Sequence, residues 1–101
     1  MHKMKLTPAL ELGGKCEIDV FDVTAGAPKK RCRITIDYTP ADLEQIRSEG
    51  RTDTKAAMEY YDQRIYELVR LNISDDWEWA EGRDEVEAVI RRHIDDAFDG
   101  D

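Results

Sequence analysis

The sequence predicts one α+β domain, in which a small antiparallel sheet packs against two or three helices on one face. Two short segments alternate polar and apolar residues, as half-buried strands do. Longer segments further along the chain repeat apolar residues at helical spacing. Strands followed by helices are typical of the α+β class. With 101 residues, 41% of them hydrophobic, residues 1–101 can form a single core, with frayed ends at about 1–5 and 99–101.

The strand prediction centres on a hairpin over residues 15–38. In its first half Cys16, Ile18 and Val20 alternate with acidic side chains, and the second half repeats this pattern. Residues 24–30 between the halves contain Gly and Pro, which favour a turn. The simplest geometry is an antiparallel hairpin whose second strand turns four side chains inward: Cys32, Ile34, Ile36 and Tyr38.

The same hairpin keeps the two cysteines apart. Pairing through a turn near Gly26 sets Cys16 opposite a residue near Tyr38, and Cys32 opposite one near Asp22. The sulfurs then lie beyond disulfide reach, so we expect two reduced, buried thiols. Since the sequence shows no signal peptide and no run of apolar residues long enough to cross a membrane, we expect a cytoplasmic protein.

The N-terminal segment is ambiguous. Residues 6–12 fit a short strand, but Pro8 lacks the N–H that a ladder hydrogen bond requires. Proline is tolerated at a sheet edge, so we expect any strand here to be an edge strand that Gly13 and Gly14 end.

Residues 76–82 fit two structures. A strand would place Trp77 and Trp79 on one face, whereas a helix would be short and would end at Gly82. We favour a third strand near residues 76–80, because Gly82 precedes a new helix start.

Three helices are expected in the second half of the chain. Residues 39–42 combine a capping threonine, a proline at the first helical position and a capping aspartate, and Gly50 ends this helix. The second helix starts at residue 53 or 54 and continues to about 72, with Asp62 on its polar side; the third covers 84–98. The apolar stripes are Met58, Tyr61, Ile65, Leu68 and Asn72, widened by Ala57 and Val69, and then Val86, Val89, Ile90, His93, Ile94 and Ala97.

Charge is unevenly distributed along the chain. The net charge is −8. Residues 1–33 hold seven Lys and Arg against four Asp and Glu, whereas residues 34–101 hold eight against nineteen. Such a field attracts positively charged partners and repels nucleic acid. The basic cluster at residues 29–33 is interpreted as a solvated hairpin tip that blunts an edge strand, rather than as a phosphate clamp.

The sequence shows no catalytic or cofactor motif. His93 has no histidine or glutamate at the spacing of a zinc or di-iron site, and no glycine-rich phosphate loop occurs. Ser48 and Ser74 lie at helix boundaries, where turn and capping roles account for them. We therefore expect no catalytic residue, no metal and no cofactor, and we expect that the protein is not an enzyme.

The candidate binding site is an acidic segment around two tryptophans. Tryptophan within a polar rim is a common composition of binding hot spots. The alternative is that both rings complete the core, and we expect one ring in the core and the other partly exposed. The candidate residues are Asp75, Asp76, Trp77, Glu78, Trp79, Glu81, Asp84 and Glu85.

These features favour a small, non-enzymatic binding or inhibitory module that docks on a protein partner with a basic surface. Its size and charge are similar to those of phage inhibitors of host nucleases or defence complexes, and of immunity proteins, although no motif is shared. We expect no membrane interaction and no direct nucleic-acid binding. The alternatives are a structural or assembly protein that acts as a homodimer or larger homo-oligomer, and a small-ligand-binding protein or enzyme subunit.

Overall fold

The computed structural model describes residues 1–12, 14–37, 40–50 and 54–99. Three strands come first in the chain, followed by two helices, a fourth strand and a third helix. The strands are β1 (His2–Leu12), β2 (Lys15–Asp22), β3 (Lys29–Asp37) and β4 (Trp77–Glu81). The helices are α1 (Pro40–Ser48), α2 (Thr54–Asn72) and α3 (Arg83–Asp99), with β4 between the last two.

One sheet in the order β3-β2-β1-β4 contains all the strands of the described residues. β1 and β2 are antiparallel, as are β2 and β3, whereas β4 runs parallel to β1. α3 packs on β1, and α2 packs on α3 and β3. The α+β prediction is confirmed, and the sheet is larger than expected and mixed rather than wholly antiparallel.

The predicted hairpin is formed by β2 and β3, with a different register. Cys16 lies opposite Ile36, and Cys32 lies opposite Val20. A β-bulge at Arg31, just before Cys32, places one extra residue of β3 between these pairs and the turn. Both cysteines are free, as predicted; Cys16 is buried and Cys32 is half-buried.

β1 is an interior strand, so the expectation of an edge strand is wrong. It lies between β2 and β4, but β4 pairs only with its residues 2–5. The Lys3 carbonyl accepts from Val23 N–H on the β2 side, and the His2 N–H donates to the β4 side. By strand alternation the nitrogen of Pro8 also points to the β4 side, beyond the end of β4. Pro8 is therefore tolerated because its own stretch of β1 has one open edge.

The core lies between the inward face of the sheet and the three helices. In β2 and β3, alternate residues contribute to it, as the sequence predicts. No polar or charged residue is buried within the described part of the chain. The buried residues are Met4, Leu6, Cys16, Ile18, Val20, Ile34, Ile36, Ile46, Ala57, Met58, Tyr61, Ile65, Val69, Trp77, Trp79, Val86, Ile90 and Ile94.

The buried stripe of α2 is rotated slightly from the predicted one. Tyr61, Ile65 and Val69 form a fully buried row with a spacing of four residues. Leu68 is half-buried, whereas Asn72 is exposed and donates from Nδ2 to the Leu68 carbonyl oxygen at 2.7 Å. The end of α2 therefore faces solvent, and the predicted inward position of Asn72 is wrong.

The helix boundaries agree with the predicted ones to within two residues. α1 is followed by Gly50, whose N–H donates to the Arg47 carbonyl at 3.0 Å and whose φ of 81° suits glycine at a helix end. The predicted cap Thr39 and the predicted inward residue Tyr38 lie outside the described residues. None of the described helices has both the length and the apolar character needed to cross a membrane.

The sheet face away from the helices carries ion pairs between β2 and β3. Arg33 donates from Nε to Asp19 Oδ1 at 2.7 Å, and its Nη1 lies 3.3 Å from Glu17 Oε2. Lys30 Nζ lies 3.4 Å from the same Asp19 oxygen. The hydrogen bond from Arg33 holds the pKa of the Asp19 carboxyl below its usual value. The predicted basic cluster therefore lies within β3, where acids of β2 partly neutralise it.

Ile36 tests the inward face of the hairpin. It is fully buried, so Ile36→Ala should lower the free energy of unfolding by roughly 2–5 kcal/mol, through lost apolar burial and the cavity left behind. Its neighbour Thr35 is exposed, and Thr35→Ala should change the same quantity by less than about 1 kcal/mol. Urea denaturation of both variants measures the difference. Equal effects would contradict the assigned faces of β3.

Gly82 tests the junction of β4 and α3 with β1. Its φ is +86°, and a Cβ added there would lie 1.9 Å from the Leu6 carbonyl oxygen. Gly82→Ala should therefore be much more destabilising than Gly26→Ala, where φ is +98° but the Cβ would meet nothing within 4 Å. Backbone strain alone predicts about 1 kcal/mol for both changes. Thermal unfolding of the two variants separates the steric clash from the strain; a similar loss in both would refute the close approach.

Candidate functional site

The candidate residues lie just before β4, on β4 and in the first turn of α3, with the tryptophans buried and the acids exposed. Trp77 and Trp79 face inward and are 8% and 9% exposed, whereas Glu78 between them faces solvent. The strand favoured for this segment is confirmed. The expectation of one partly exposed tryptophan is wrong, because strand alternation puts both rings on one face and that face covers the core. Neither indole therefore serves as an exposed anchor.

Tyr66 of α2 covers both tryptophan rings. Its ring centroid lies 4.5 Å from that of Trp77 and 6.0 Å from that of Trp79. The Trp79 indole donates from Nε1 to the Glu81 carbonyl oxygen at 3.1 Å, so its polar atom is satisfied within the chain. The Arg83 guanidinium lies 5.5 Å from the Trp79 ring centroid, a cation–π distance. These contacts fix β4 and the start of α3 on a rigid aromatic base.

The outward side of this segment carries four exposed carboxylates without an ion-pair partner among the described residues. We call them the acidic face: Glu78, Glu81, Asp84 and Glu85. The other two candidate acids are paired, since Asp75 lies 3.3 Å from Arg70 and Asp76 lies 3.3 Å from the Met1 amino group. The positive end of the α3 dipole stabilises the two acidic-face residues in its first turn, but it does not extend to Glu78.

Two hollows flank β4, one at each end. The first, of about 440 Å³, lies at the start of the strand and has an aromatic and charged lining. The second, of about 270 Å³, lies where β4 passes into α3 and is lined by residues 80–85. The residues that line the first hollow are Gln63, Tyr66, Glu67, Arg70, Asp75 and Trp77.

β4 ends the sheet, and within the described residues no strand pairs with its second edge. His2 N–H donates to the Asp76 carbonyl at 2.9 Å, so the backbone groups of Asp76 face β1. In a parallel pair these groups alternate in direction, so those of Glu78 also face β1. The N–H and C=O groups of Trp77 and Trp79 consequently point away from the sheet, although their side chains are buried.

A cluster of charged side chains that the sequence analysis did not find joins α2 to α3. Arg83 lies 3.3 Å from Asp62 Oδ2 through Nη2, and 3.7 Å from Glu87 Oε1 through Nε. The Asp62 side chain is only 14% exposed, so its predicted place on the solvent side of α2 is wrong. Burial, and after it the neighbouring Glu87 carboxyl, raises the pKa of Asp62 to about 7, and Arg83 opposes this.

Little in the sequence marks that cluster in advance. Arg83 and Glu87 have the spacing of an ordinary exposed helical pair, and Asp62 follows the buried Tyr61. Only the packing of α3 beside α2 brings the two carboxyls together. A shallow hollow of about 230 Å³ lies there, lined by Lys55, Met58, Glu59, Asp62, Arg83, Glu87 and Arg91.

The thiols have the wrong surroundings for nucleophilic catalysis. Burial raises the pKa of the Cys32 thiol, which keeps it protonated at neutral pH. Cys16 is fully buried on the inward face of β2. Across residues 1–12, 14–37, 40–50 and 54–99, no three His, Cys, Asp or Glu side chains come together as a metal-binding group. Around β4, the groups available to bind a partner are the carboxylates, the outward N–H and C=O groups of the strand, and the two hollows.

Comparison with protein-family models, with curated proteins and with solved structures gives no match for this chain. The function is therefore inferred from the geometry and charge of the molecule.

The titration of Asp62 should be visible in the stability of the protein. Its carboxyl binds a proton more tightly in the folded protein than in the unfolded chain, so its contribution to stability is lost as the pH rises from about 4 to about 7. Asp62→Asn removes this titration and keeps the shape. At about pH 8 the variant should therefore unfold with a free energy roughly 1–3 kcal/mol higher than the parent protein, and the difference should vanish near pH 4.

Urea denaturation across this pH range measures the effect. Asp75→Asn is the matched control, because Asp75 is 82% exposed at the side chain and also pairs with an arginine. Its difference from the parent should not vary in this way. Parallel pH profiles for Asp62→Asn and the parent would contradict the raised pKa.

Proposed function

We propose that the protein is a non-enzymatic binding module whose acidic face docks on a basic surface of a partner protein. The observation that supports this most directly is the set of four exposed carboxylates that form no ion pair among the described residues, although Lys3 and Lys5 of β1 lie opposite Glu78 and Glu81 in the sheet. They lie close together in the chain on β4 and α3, next to the buried tryptophans and Tyr66.

Several acids elsewhere in the chain are paired with arginine. Glu17 and Asp19 of β2 are paired with Arg33 across the hairpin, and Asp75 is paired with Arg70. Like charges on the acidic face repel one another, and Lys3 and Lys5 lie opposite only two of its four carboxylates. A basic partner would offset this repulsion with attractive ionic interactions. The acids would then contribute to binding rather than to folding.

Charge of this kind acts mainly on the rate and selectivity of association. A net charge of −8 attracts a basic partner over a distance of about a Debye length, roughly 8 Å at physiological salt. The same field disfavours direct contact with nucleic acid, and it disfavours two copies of this chain meeting. A basic nucleic-acid-binding surface, such as that of a nuclease, is a fitting partner for an inhibitory or immunity-type module. Two reduced thiols fit a cytoplasmic site of action.

The acidic face is tested by charge reversal together with the neighbouring Asp76, which pairs with the Met1 amino group. In the triple variant Asp76→Lys, Glu78→Lys, Glu81→Lys the β4 segment becomes basic, and all three side chains are exposed, so the fold should survive. The captured partner should associate with this variant at least about tenfold more slowly at low salt, and with a weaker dependence on ionic strength. The partner is first captured from a lysate of the source cells, and its rates are then measured by surface plasmon resonance.

A matched control separates the place of the charge from its amount. Asp37→Lys, Glu44→Lys, Asp96→Lys makes the same change in net charge at exposed positions of β3, α1 and α3. This control should retain most of the salt-dependent association. The proposal fails if both triple variants lose association equally, or if the reversal on β4 leaves it unchanged.

A further inference from the structure

We infer that the partner docks as an extended basic segment that adds a fifth strand along the free edge of β4. This inference rests on the proposed function and specifies how the acidic face would bind. It goes further, because it assigns the recognition to backbone groups as well as to charge.

The backbone of β4 points toward an unoccupied side of the sheet. Trp77 and Trp79 present N–H and C=O groups on the side of β4 that no described strand occupies. Such an edge is a template for another strand, and main-chain hydrogen bonds supply the affinity in this mode of recognition. The buried indoles hold these backbone groups in place, so they would not need to be ordered on binding.

The two edges of the sheet differ in their charged side chains. β3, the opposite edge, carries Lys29, Lys30, Arg31 and Arg33, and cationic side chains are the usual protection of an edge strand. β4 contains no Lys, Arg or Pro. The edge at β4 is thus left unprotected against a strand of positive charge, while its glutamates still repel an acidic one.

The surface beside β4 has a shape that suits a short extended segment. The five residues of the strand span roughly 15 Å, with one hollow at each end. The first hollow combines the rings of Tyr66 and Trp77 with Glu67, Asp75 and Arg70, and Arg70 pairs with both carboxylates. A side chain with a long apolar stem suits it, because its methylene groups can contact the rings. The occupant is therefore a segment of about five to seven residues, and the acidic face favours basic side chains in it.

A second copy of this chain is the less favourable occupant. Its basic strand β3 would be the complementary surface, but Arg31 and Arg33 are already paired with Asp22 and Asp19 of the same copy. Two copies that each carry a net charge of −8 also repel one another. A separate partner meets neither obstacle.

The test uses three synthetic peptides with the same side chains. The parent probe is an acetylated and amidated octapeptide of alternating lysine and valine, and the other two carry N-methyl groups on all lysine or on all valine nitrogens. In an added strand only alternate N–H groups face β4, so one methylated probe should lose affinity about tenfold or more, and the other should bind much like the parent. Fluorescence anisotropy at low salt gives the affinities.

Amide hydrogen exchange gives an independent readout on the protein itself. Binding of the parent probe should slow exchange at the amides of Trp77 and Trp79, and leave that of Glu78 unchanged because it already faces β1. Equal binding of all three probes, or no binding of the parent probe, overturns strand addition. If the protein self-associates as its concentration rises and protects the same two amides before any probe is added, the added strand comes from a second copy. That result overturns the inference of a separate partner. The proposed function is judged separately, by the rates of the captured partner with the two triple variants.

Discussion

The parallel pairing of β1 with β4 joins the first strand of the chain to a segment that follows two helices. The His2 N–H donates to the Asp76 carbonyl at 2.9 Å, and Gly82 passes so close to Leu6 that no side chain fits between them. This pairing brings Trp77 to the edge of the core and turns the acidic residues of β4 outward. It also makes β4 the last strand of the sheet. Without it, the candidate surface would be a loop carrying two exposed indoles.

Charge is separated within the molecule in a way that the total of −8 does not reveal. On β2 and β3 the acids face arginine and lysine across the hairpin, and that surface is close to neutral locally. The four carboxylates of the acidic face are exposed and form no ion pair among the described residues, although Lys3 and Lys5 of β1 lie opposite two of them. The short range of ionic interactions in salt makes this local arrangement, more than the net charge, the property that a partner would meet.

The cluster of Asp62, Glu87 and Arg83 connects the stability of the domain to the same region. Arg83 contacts both carboxyls and also lies against the Trp79 ring. It therefore couples α2 and α3 to the end of β4. Because Asp62 is partly withdrawn from water, its ionised form is less favourable than that of an exposed carboxyl, and the region is less stable at higher pH.

The local pattern of the sequence determines most of the elements. Alternation around Ile18 and Ile34 yields the hairpin, the helical spacing from Tyr61 to Val69 yields α2, and paired tryptophans before Gly82 yield a strand. These predictions succeed because each depends on residues close together in the chain. The absence of a recognisable catalytic motif, and the acidic character of the β4 segment, are equally properties of the sequence.

Tertiary structure alone decided which strands are neighbours and which faces are covered. Pro8 indicated an edge, but β4 pairs with only the first residues of β1, so an interior strand accommodates the proline. The burial of both indoles depends on Tyr66, and the raised pKa of Asp62 depends on Glu87. Each of these outcomes comes from contact between residues far apart in the chain, whose relative position is fixed only when the helices pack on the sheet.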